Sequence, residues 1–334
     1  MKIKWKCMIC VMALFWIFCA GAWAMERYQF SFPVYAGLEG RNAGLQFDCV
    51  RTGVDGTLLV VGEDGQLLGK TKIDAGKRDG TISVKMSAET PSAQKVQLWL
   101  EKGEIKELQD ECLLAVDHKT SDGLRMVNTV EKKIAITFDT SLDVDKTISL
   151  LKLLEKHGVK CTFFVQGEYA YKHPDAIAAI FNAGHELANH SFTHPEMPDC
   201  TDGEIYKEIV KTNEMIEQVT GKKVVLYRPP SGNYTYRDRA ISRALGCEMI
   251  LWTFDSHDGF RDASRERIWK RMTENSRPGA IILMHIYGTY TQDILDEYLP
   301  LMQEEGYSFV TVSDLMLPGG AIDKNGVQSL PAQR

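Results

Sequence analysis

Two histidines stand four residues apart in His190-Ser-Phe-Thr-His194. On a helical turn that spacing brings both imidazoles to one side, where they can share a metal ion. Asn189 before the pair and Pro195 after it favour a strand-to-loop exit over a long solvated helix, so ligation is the expected role. Asp139 closes an apolar β run, Ile134 to Asp139, and Thr140, Ser141 and Leu142 follow it. A strand-end aspartate can simply form a turn or cap a helix. Beside a metal it can instead take a proton from water as a general base.

Three further segments carry groups that would complete such chemistry. Arg228-Pro-Pro-Ser231-Gly232 is a rigid loop after a strand: proline fixes φ and glycine permits close approach, so the loop can hold a guanidinium near a carboxylate and aim a backbone N–H into a site. Taken alone it could equally be a structural turn. Trp252-Thr-Phe-Asp255-Ser-His-Asp258 ends another strand, and Leu283-Met-His285 ends the next. A histidine held by a carboxylate such as Asp258 is a tuned general acid. There is no G-x-S-x-G elbow, phosphate-cradling loop or H-E-x-x-H, which removes serine-hydrolase, nucleotide-enzyme and zincin readings.

These residues need a scaffold that gathers them. After residue 133 the pattern alternates strand and helix, with expected strands at Ile134–Phe138, Cys161–Val165, Glu186–Ala188, Val224–Tyr227, Met249–Phe254, Ala280–Met284 and Ser308–Val310. The helix at Thr147–Lys156 carries Ile148, Leu151 and Leu154 on one side and stops at Gly158. Another opens with Thr201 and Glu204 at capping-box spacing and ends before Gly221. About seven such units imply an α/β fold with a parallel sheet, an open doubly wound one or a closed barrel. Asp139, His190, Arg228, Asp255 and His285 each follow a strand, and in a barrel those carboxyl ends make the active face.

The region before it reads differently. From Tyr28 to Val116 short β-rich runs, including Leu58–Val61, Thr81–Met86 and Val96–Leu100, alternate with the turn signals Asp55-Gly56, Asp64-Gly65 and Asp79-Gly80. This predicts a small all-β sandwich over residues 25–118, followed by a polar linker at 119–132, the α/β domain at 133–317 and a polar tail at 318–334. Lys2, Lys4 and Lys6 precede the uncharged, apolar stretch Cys7–Ala24, which ends in Ala22-Trp23-Ala24. That is the order of a cleaved secretory signal over residues 1–24, with an uncleaved membrane anchor as the alternative. Cleavage removes three of 39 basic residues and none of 45 acids, leaving 36 − 45 = −9. So acidic a chain is a poor match for nucleic acid. Five cysteines would remain, an odd set that is no disulfide framework, although Cys49 and Cys112 could bridge the β region.

Taken together, Thr137-Phe-Asp139-Thr140, His190-Ser-Phe-Thr-His194, Arg228-Pro-Pro-Ser-Gly232, Asp255-Ser-His-Asp258 and Leu283-Met-His285 resemble the ordered motifs of the polysaccharide deacetylase (NodB-homology) carbohydrate esterases. Gly184-His-Glu-Leu-Ala-Asn-His190 matches the usual lead into the histidine motif, and the resemblance covers about residues 133–317. It implies a distorted (β/α) barrel of about seven strands and one divalent metal, zinc first with cobalt or nickel possible by affinity order. It also implies a secreted or cell-surface hydrolase that removes acetyl groups from N-acetylated glycans such as peptidoglycan. By the same resemblance Asp139 is the base, His190 and His194 the metal ligands, and Arg228 the orienter of Asp139. The Ser231 N–H joins in stabilising the oxyanion, His285 tuned by Asp258 is the acid, and Trp252 and Leu283 line the acetyl pocket.

The sequence departs from that family pattern at three places. Thr140 stands where most members have a second, metal-binding aspartate; Gly259 stands where tryptophan is usual; and Ser231 replaces a frequent tyrosine. Asp143 or a water could complete the metal shell. The alternative function is a glycan-binding pseudo-deacetylase weakened by Thr140.

Overall fold

The computed structural model describes residues 28–51, 53–140 and 143–331; the segment read as an export signal lies outside them. The chain divides into two compact units between Val116 and Asp117. Among the described residues no helix is long and apolar enough to cross a membrane.

The first unit is all β. Its strands are β1 (Tyr28–Phe30), β2 (Val34–Leu38), β3 (Asn42–Cys49), β4 (Gly56–Gly62), β5 (Leu67–Ile73), β6 (Asp79–Lys85), β7 (Ala93–Lys102) and β8 (Ile105–Asp117). They form two sheets, β1-β3-β6 and β2-β8-β7-β4-β5. Period-2 alternation points Leu45, Phe47, Ile82 and Val84 of the first sheet and Leu58, Val60, Val96, Leu98 and Leu100 of the second into one core. Of the three turn signals, Asp64-Gly65 makes the β4–β5 hairpin, with Gly65 at φ +81°. Asp55-Gly56 and Asp79-Gly80 instead lead into β4 and β6. Cys49 and Cys112 are both free: Cys49 ends a strand and turns its thiol to the Arg51 carbonyl, whereas Cys112 is buried within β8.

The second unit is built on a parallel sheet. Its strands are β9 (Met126–Val127), β10 (Lys133–Thr140), β11 (Thr162–Val165), β12 (Glu186–Asn189), β13 (Leu226–Tyr227), β14 (Glu248–Met249), β15 (Phe254–Asp255), β16 (Ile281–His285), β17 (Ser308–Phe309), β18 (Ala321–Ile322) and β19 (Val327–Ser329). The sheet order is β14-β13-β12-β11-β10-β16-β15, with β17 also on β10. The strands curl into a half-barrel left open between β14 and β15, the distorted (β/α) barrel that the family resemblance implies. β10 is buried along nearly its whole length, as expected for a parallel strand covered on both faces. Phe138 and Phe163 are fully buried in its core, each contributing about 1.5–3 kcal/mol by removal from water.

The helices carry their sequence signals. Val144–Lys156 starts earlier than periodicity suggests, because Asp143 caps it by accepting from the Lys146 N–H at 2.9 Å. Asp202–Thr220 has the Thr201/Glu204 capping box and ends at Gly221 in the left-handed region.

Two expectations change. Met249–Phe254 is not one strand: β14 pairs β13, β15 pairs β16, and residues 250–253 leave the sheet between them. Leu124 bridges Ile250 there. The stretches read as a linker and a polar tail instead meet in a small sheet, β18-β19-β9. Its apolar anchors Leu124 and Val127 are fully buried, a long-range pairing that no local periodicity reports.

Candidate active site

All the chemistry-bearing residues sit at the carboxyl ends of the parallel strands. Register sets the first relationship: Asp139 on β10 lies opposite His285 on β16 and Phe164 on β11. A cavity of about 790 Å³ opens over them, lined by Asp139, His190, His194, Ser231, Trp252, Leu283 and His285 together with residues the motifs did not single out. Arg228 and Asp258 do not line it; both are buried directly behind its wall.

Asp139 is clamped from two sides. Its Oδ1 accepts from Arg228 Nη1 at 2.7 Å, and its Oδ2 lies 3.3 Å from His190 Nε2. Burial alone would raise its pKa, but His190, Arg228 and His285 outweigh that and hold the carboxyl below its ordinary value. Arg228 is fully buried and also donates through Nε and Nη2 to the Ile250 and Leu251 carbonyls, while its guanidinium lies 3.9 Å from the Phe164 ring centre. The break between β14 and β15 thus has a local purpose: it turns two carbonyls inward to satisfy a buried arginine.

The two histidines occupy a strained loop. Ser191 and His194 both have φ +61°, Ser231 has φ +57° and His257 has φ +66°. Left-handed backbone costs a non-glycine residue roughly 1–2 kcal/mol, and such strain collects at functional sites. Here the restraint is visible. Glu208 accepts from the Phe192 N–H, the Thr193 N–H and the Thr193 hydroxyl, and Asn189 accepts from the Ser191 N–H. His190 Nδ1 lies 2.9 Å from the Arg228 carbonyl, so that nitrogen carries the proton and Nε2 keeps its lone pair. Burial pushes His190 down to about 4, a neutral ring at physiological pH.

Whether these donors suit a cation follows from their chemistry. His190 offers a neutral nitrogen, and the His194 ring lies 5.0 Å away centre to centre. Among the described residues no group of three or more His, Cys, Asp and Glu is arranged as a metal centre. Thr140 is buried and its hydroxyl donates to the Phe138 carbonyl at 3.4 Å. Asp143, the other candidate for the shell, lines the cavity but uses Oδ1 as a helix cap. The side chains therefore offer a cation two imidazole nitrogens, with the Asp139 carboxylate 3.3 Å from His190 Nε2 and no second carboxylate at position 140.

On the opposite wall Asp258 holds His285. Its Oδ1 accepts from His285 Nδ1 at 2.9 Å, and its Oδ2 accepts from the His285 N–H and the Thr291 hydroxyl. Burial pulls His285 down, but the Asp258 hydrogen bond with the charges of Asp139 and Asp258 lifts it above its ordinary value. Gly259 packs on this ring: a Cβ there would stand 2.7 Å from His285 Nδ1. At Gly232, φ +65°, a Cβ would meet the Trp252 ring at 2.4 Å.

Several contributors were missed by motif reasoning. Gln166 follows β11 and lines the cavity, so the same strand-end rule that found Asp139 would have found it. Phe260 and Tyr287 lie just past two motifs. Glu208 and Thr291 carry no local signal, because they act through contacts formed only on folding.

A sequence model of the polysaccharide deacetylase family matches residues 126–250. The chain is 32% identical over 198 residues to the peptidoglycan-N-acetylmuramic acid deacetylase PdaA of Bacillus subtilis, covering 58% of this chain and 75% of that protein. It is 32% identical over 187 residues to a peptidoglycan-N-acetylglucosamine deacetylase of Bacillus cereus, covering 55% of this chain and 68% of that one. Among solved structures, a mutant of a CE4 family pseudoenzyme of Bacillus anthracis with restored enzymatic activity superposes with a TM-score of 0.56. It is 25% identical, over 70% of this chain and 88% of that one.

Proposed function

The chain belongs to the polysaccharide deacetylase family of hydrolases, and from that premise we propose that it removes N-acetyl groups from the amino sugars of cell-wall peptidoglycan. The observation that carries this reading is the placement at one cavity of Asp139, held by Arg228 at 2.7 Å, and His285, held by Asp258 at 2.9 Å.

Amide hydrolysis needs a deprotonated water, a place for the charge of the tetrahedral oxygen, and a proton for the departing amine. Asp139 takes the proton of the attacking water. Arg228 keeps that carboxylate oriented and low in pKa until it does so. The Ser231 N–H, on a left-handed residue of the cavity lining, would stabilise the developing oxyanion. Trp252 and Leu283 close around the acetyl methyl. His285 donates its proton to the nitrogen, and Asp258 stabilises the imidazolium beforehand.

We place one divalent metal, zinc before cobalt or nickel, on His190 and His194, where it would polarise the acetyl carbonyl and acidify water. The basic, apolar and A-x-A order of residues 1–24 supports export to the compartment that holds the wall, as a secreted or surface protein. The test is acetate release from purified peptidoglycan by metal-loaded protein, with chelated protein and Asp139→Asn as controls. Release that persists unchanged in both controls would overturn the reading.

Thr140 favours a second reading, a weakened enzyme that mainly binds glycan. Thr140→Asp discriminates: a large gain only in the variant supports weakness, and equal, substantial rates in both proteins reject it.

A further inference from the structure

The carboxyl ends of β10, β11 and β12 lie side by side in the sheet, in unbroken register to the last residue of each. Thr140 is opposite Val165, and Val165 is opposite Asn189. The residues that follow, Gln166 after β11 and His190 after β12, therefore leave the sheet together. Their backbones stay paired there: the His190 N–H donates to the Val165 carbonyl and the Gly167 N–H to the Ser191 carbonyl, each at 2.9 Å. Adjacent strands lie about 4.8 Å apart, and side chains alternate along each. Gln166 thus shares a face with Phe164, and His190 with Ala188, two members of one apolar cluster. Both Gln166 and His190 line the cavity; His194 lines it too, its ring 5.0 Å from that of His190.

Nothing in the fold occupies the Gln166 amide. The residue precedes the helix Gly167–Lys172 as its N-cap, yet its side chain makes no capping hydrogen bond. Only the backbone is engaged, its N–H donating to the Thr140 carbonyl at 3.4 Å and its carbonyl accepting from the Ala170 N–H at 3.0 Å. Among the described residues the half-buried amide has no hydrogen-bond partner. The oxygens around it are committed. The Thr140 hydroxyl donates to the Phe138 carbonyl, Asp143 Oδ1 caps a helix, and Asp139 Oδ1 accepts from Arg228.

A glutamine side chain offers a carbonyl oxygen with two lone pairs and no charge. A catalytic zinc site uses three protein ligands and leaves its fourth position to water or substrate. Two imidazole nitrogens fall one short of that number, and the unused oxygen nearest to them along the sheet belongs to Gln166.

Resting on the placement of a cation at His190 and His194, we propose that the side-chain carbonyl of Gln166 is the third protein ligand of that site. The ligand set is then uncharged, which holds a cation less tightly than a set containing a carboxylate.

The test is calorimetric titration of the metal-free full chain with zinc and with cobalt, together with the visible absorption of the cobalt form, which reports the ligands directly. Gln166→Leu, Gln166→Glu and His190→Ala are measured beside the parent, and melting of each metal-free protein checks folding. Affinity about tenfold weaker in Gln166→Leu with an altered cobalt spectrum, and about tenfold or more tighter in Gln166→Glu, support the proposal. Parental affinity and spectrum in Gln166→Leu, with the ion lost in His190→Ala, would overturn the role of Gln166 and leave the cation at the histidines. Unchanged affinity in Gln166→Glu would overturn it as well, so the outcome does not depend on the leucine variant alone. A raised KM for glycan at parental metal affinity would make the amide a sugar contact instead and overturn it too. If the parent took up neither ion, the metal reading and the third ligand would fall together.

Discussion

Asp139 and His285 are register partners on adjacent parallel strands, β10 and β16, and each is held from behind by a buried group of opposite character, Arg228 and Asp258. The sheet itself therefore sets the separation of a base from an acid. Environment then drives their pKa values in useful directions, the carboxyl down and the imidazole up.

Removing the arginine should be costly in two ways. Arg228→Met leaves Asp139 buried without its partner and frees the Ile250 and Leu251 carbonyls. Loss of one partner of a buried pair costs about 3–5 kcal/mol. The expected result is a clear fall in melting temperature and acetate release at least about 100-fold slower. A variant with parental stability and rate would contradict this role.

The pH profile should be bell-shaped with separable limbs. Asp139 must be ionised, and its depressed pKa puts the acidic limb low; His285 must be protonated, so activity falls as pH rises through its elevated pKa. In Asp258→Asn the imidazole loses the carboxylate that lifts it. The alkaline limb should then move to lower pH while the acidic limb stays. Rate–pH curves for both proteins check this, and an unmoved alkaline limb would refute the assignment of His285.

Glu208 is expected to hold the histidine loop from outside the cavity. Glu208→Ala removes three acceptor contacts from Phe192 and Thr193, freeing Ser191 and His194 to leave the left-handed region. Titration with zinc or cobalt should show affinity weaker by roughly tenfold, with partial recovery in Glu208→Gln. Unchanged metal affinity alongside a lowered melting temperature would reduce Glu208 to a structural role.

Metal retention should be weak in the parent and respond to position 140. Dialysis against a chelator is expected to strip the ion readily and abolish acetate release. Thr140→Asp should raise metal affinity about tenfold or more by adding a carboxylate ligand, and the unloaded variant should melt lower because that carboxylate is buried. If calorimetry found equal affinity in parent and variant, position 140 would not belong to the metal shell.

Much of this was written in the chain locally. Strand periods, the Thr201 capping box and the spacing of His190 and His194 are short-range patterns, and strand-end placement followed from alternating strands and helices. Thr140 could likewise be recognised from its neighbours, because it sits in a motif of fixed spacing. What only the tertiary structure decided depends on groups distant in sequence. Arg228 needs two carbonyls from residues 250 and 251, so the run Met249–Phe254 breaks even though its composition favours one strand. Leu124 and the strand Val327–Ser329 acquire partners that no period records, so stretches that look like linker and tail join the second unit. Glu208 reaches the histidine loop from a helix whose own sequence explains only its caps and buried face. The lining of the cavity also emerged from assembly: Asp143, which caps a helix, and Asp255, which ends a strand, come to one opening only on folding. Local sequence specifies backbone conformation and which face is apolar; hydrogen-bond satisfaction and electrostatics are settled among partners that only the folded chain brings together.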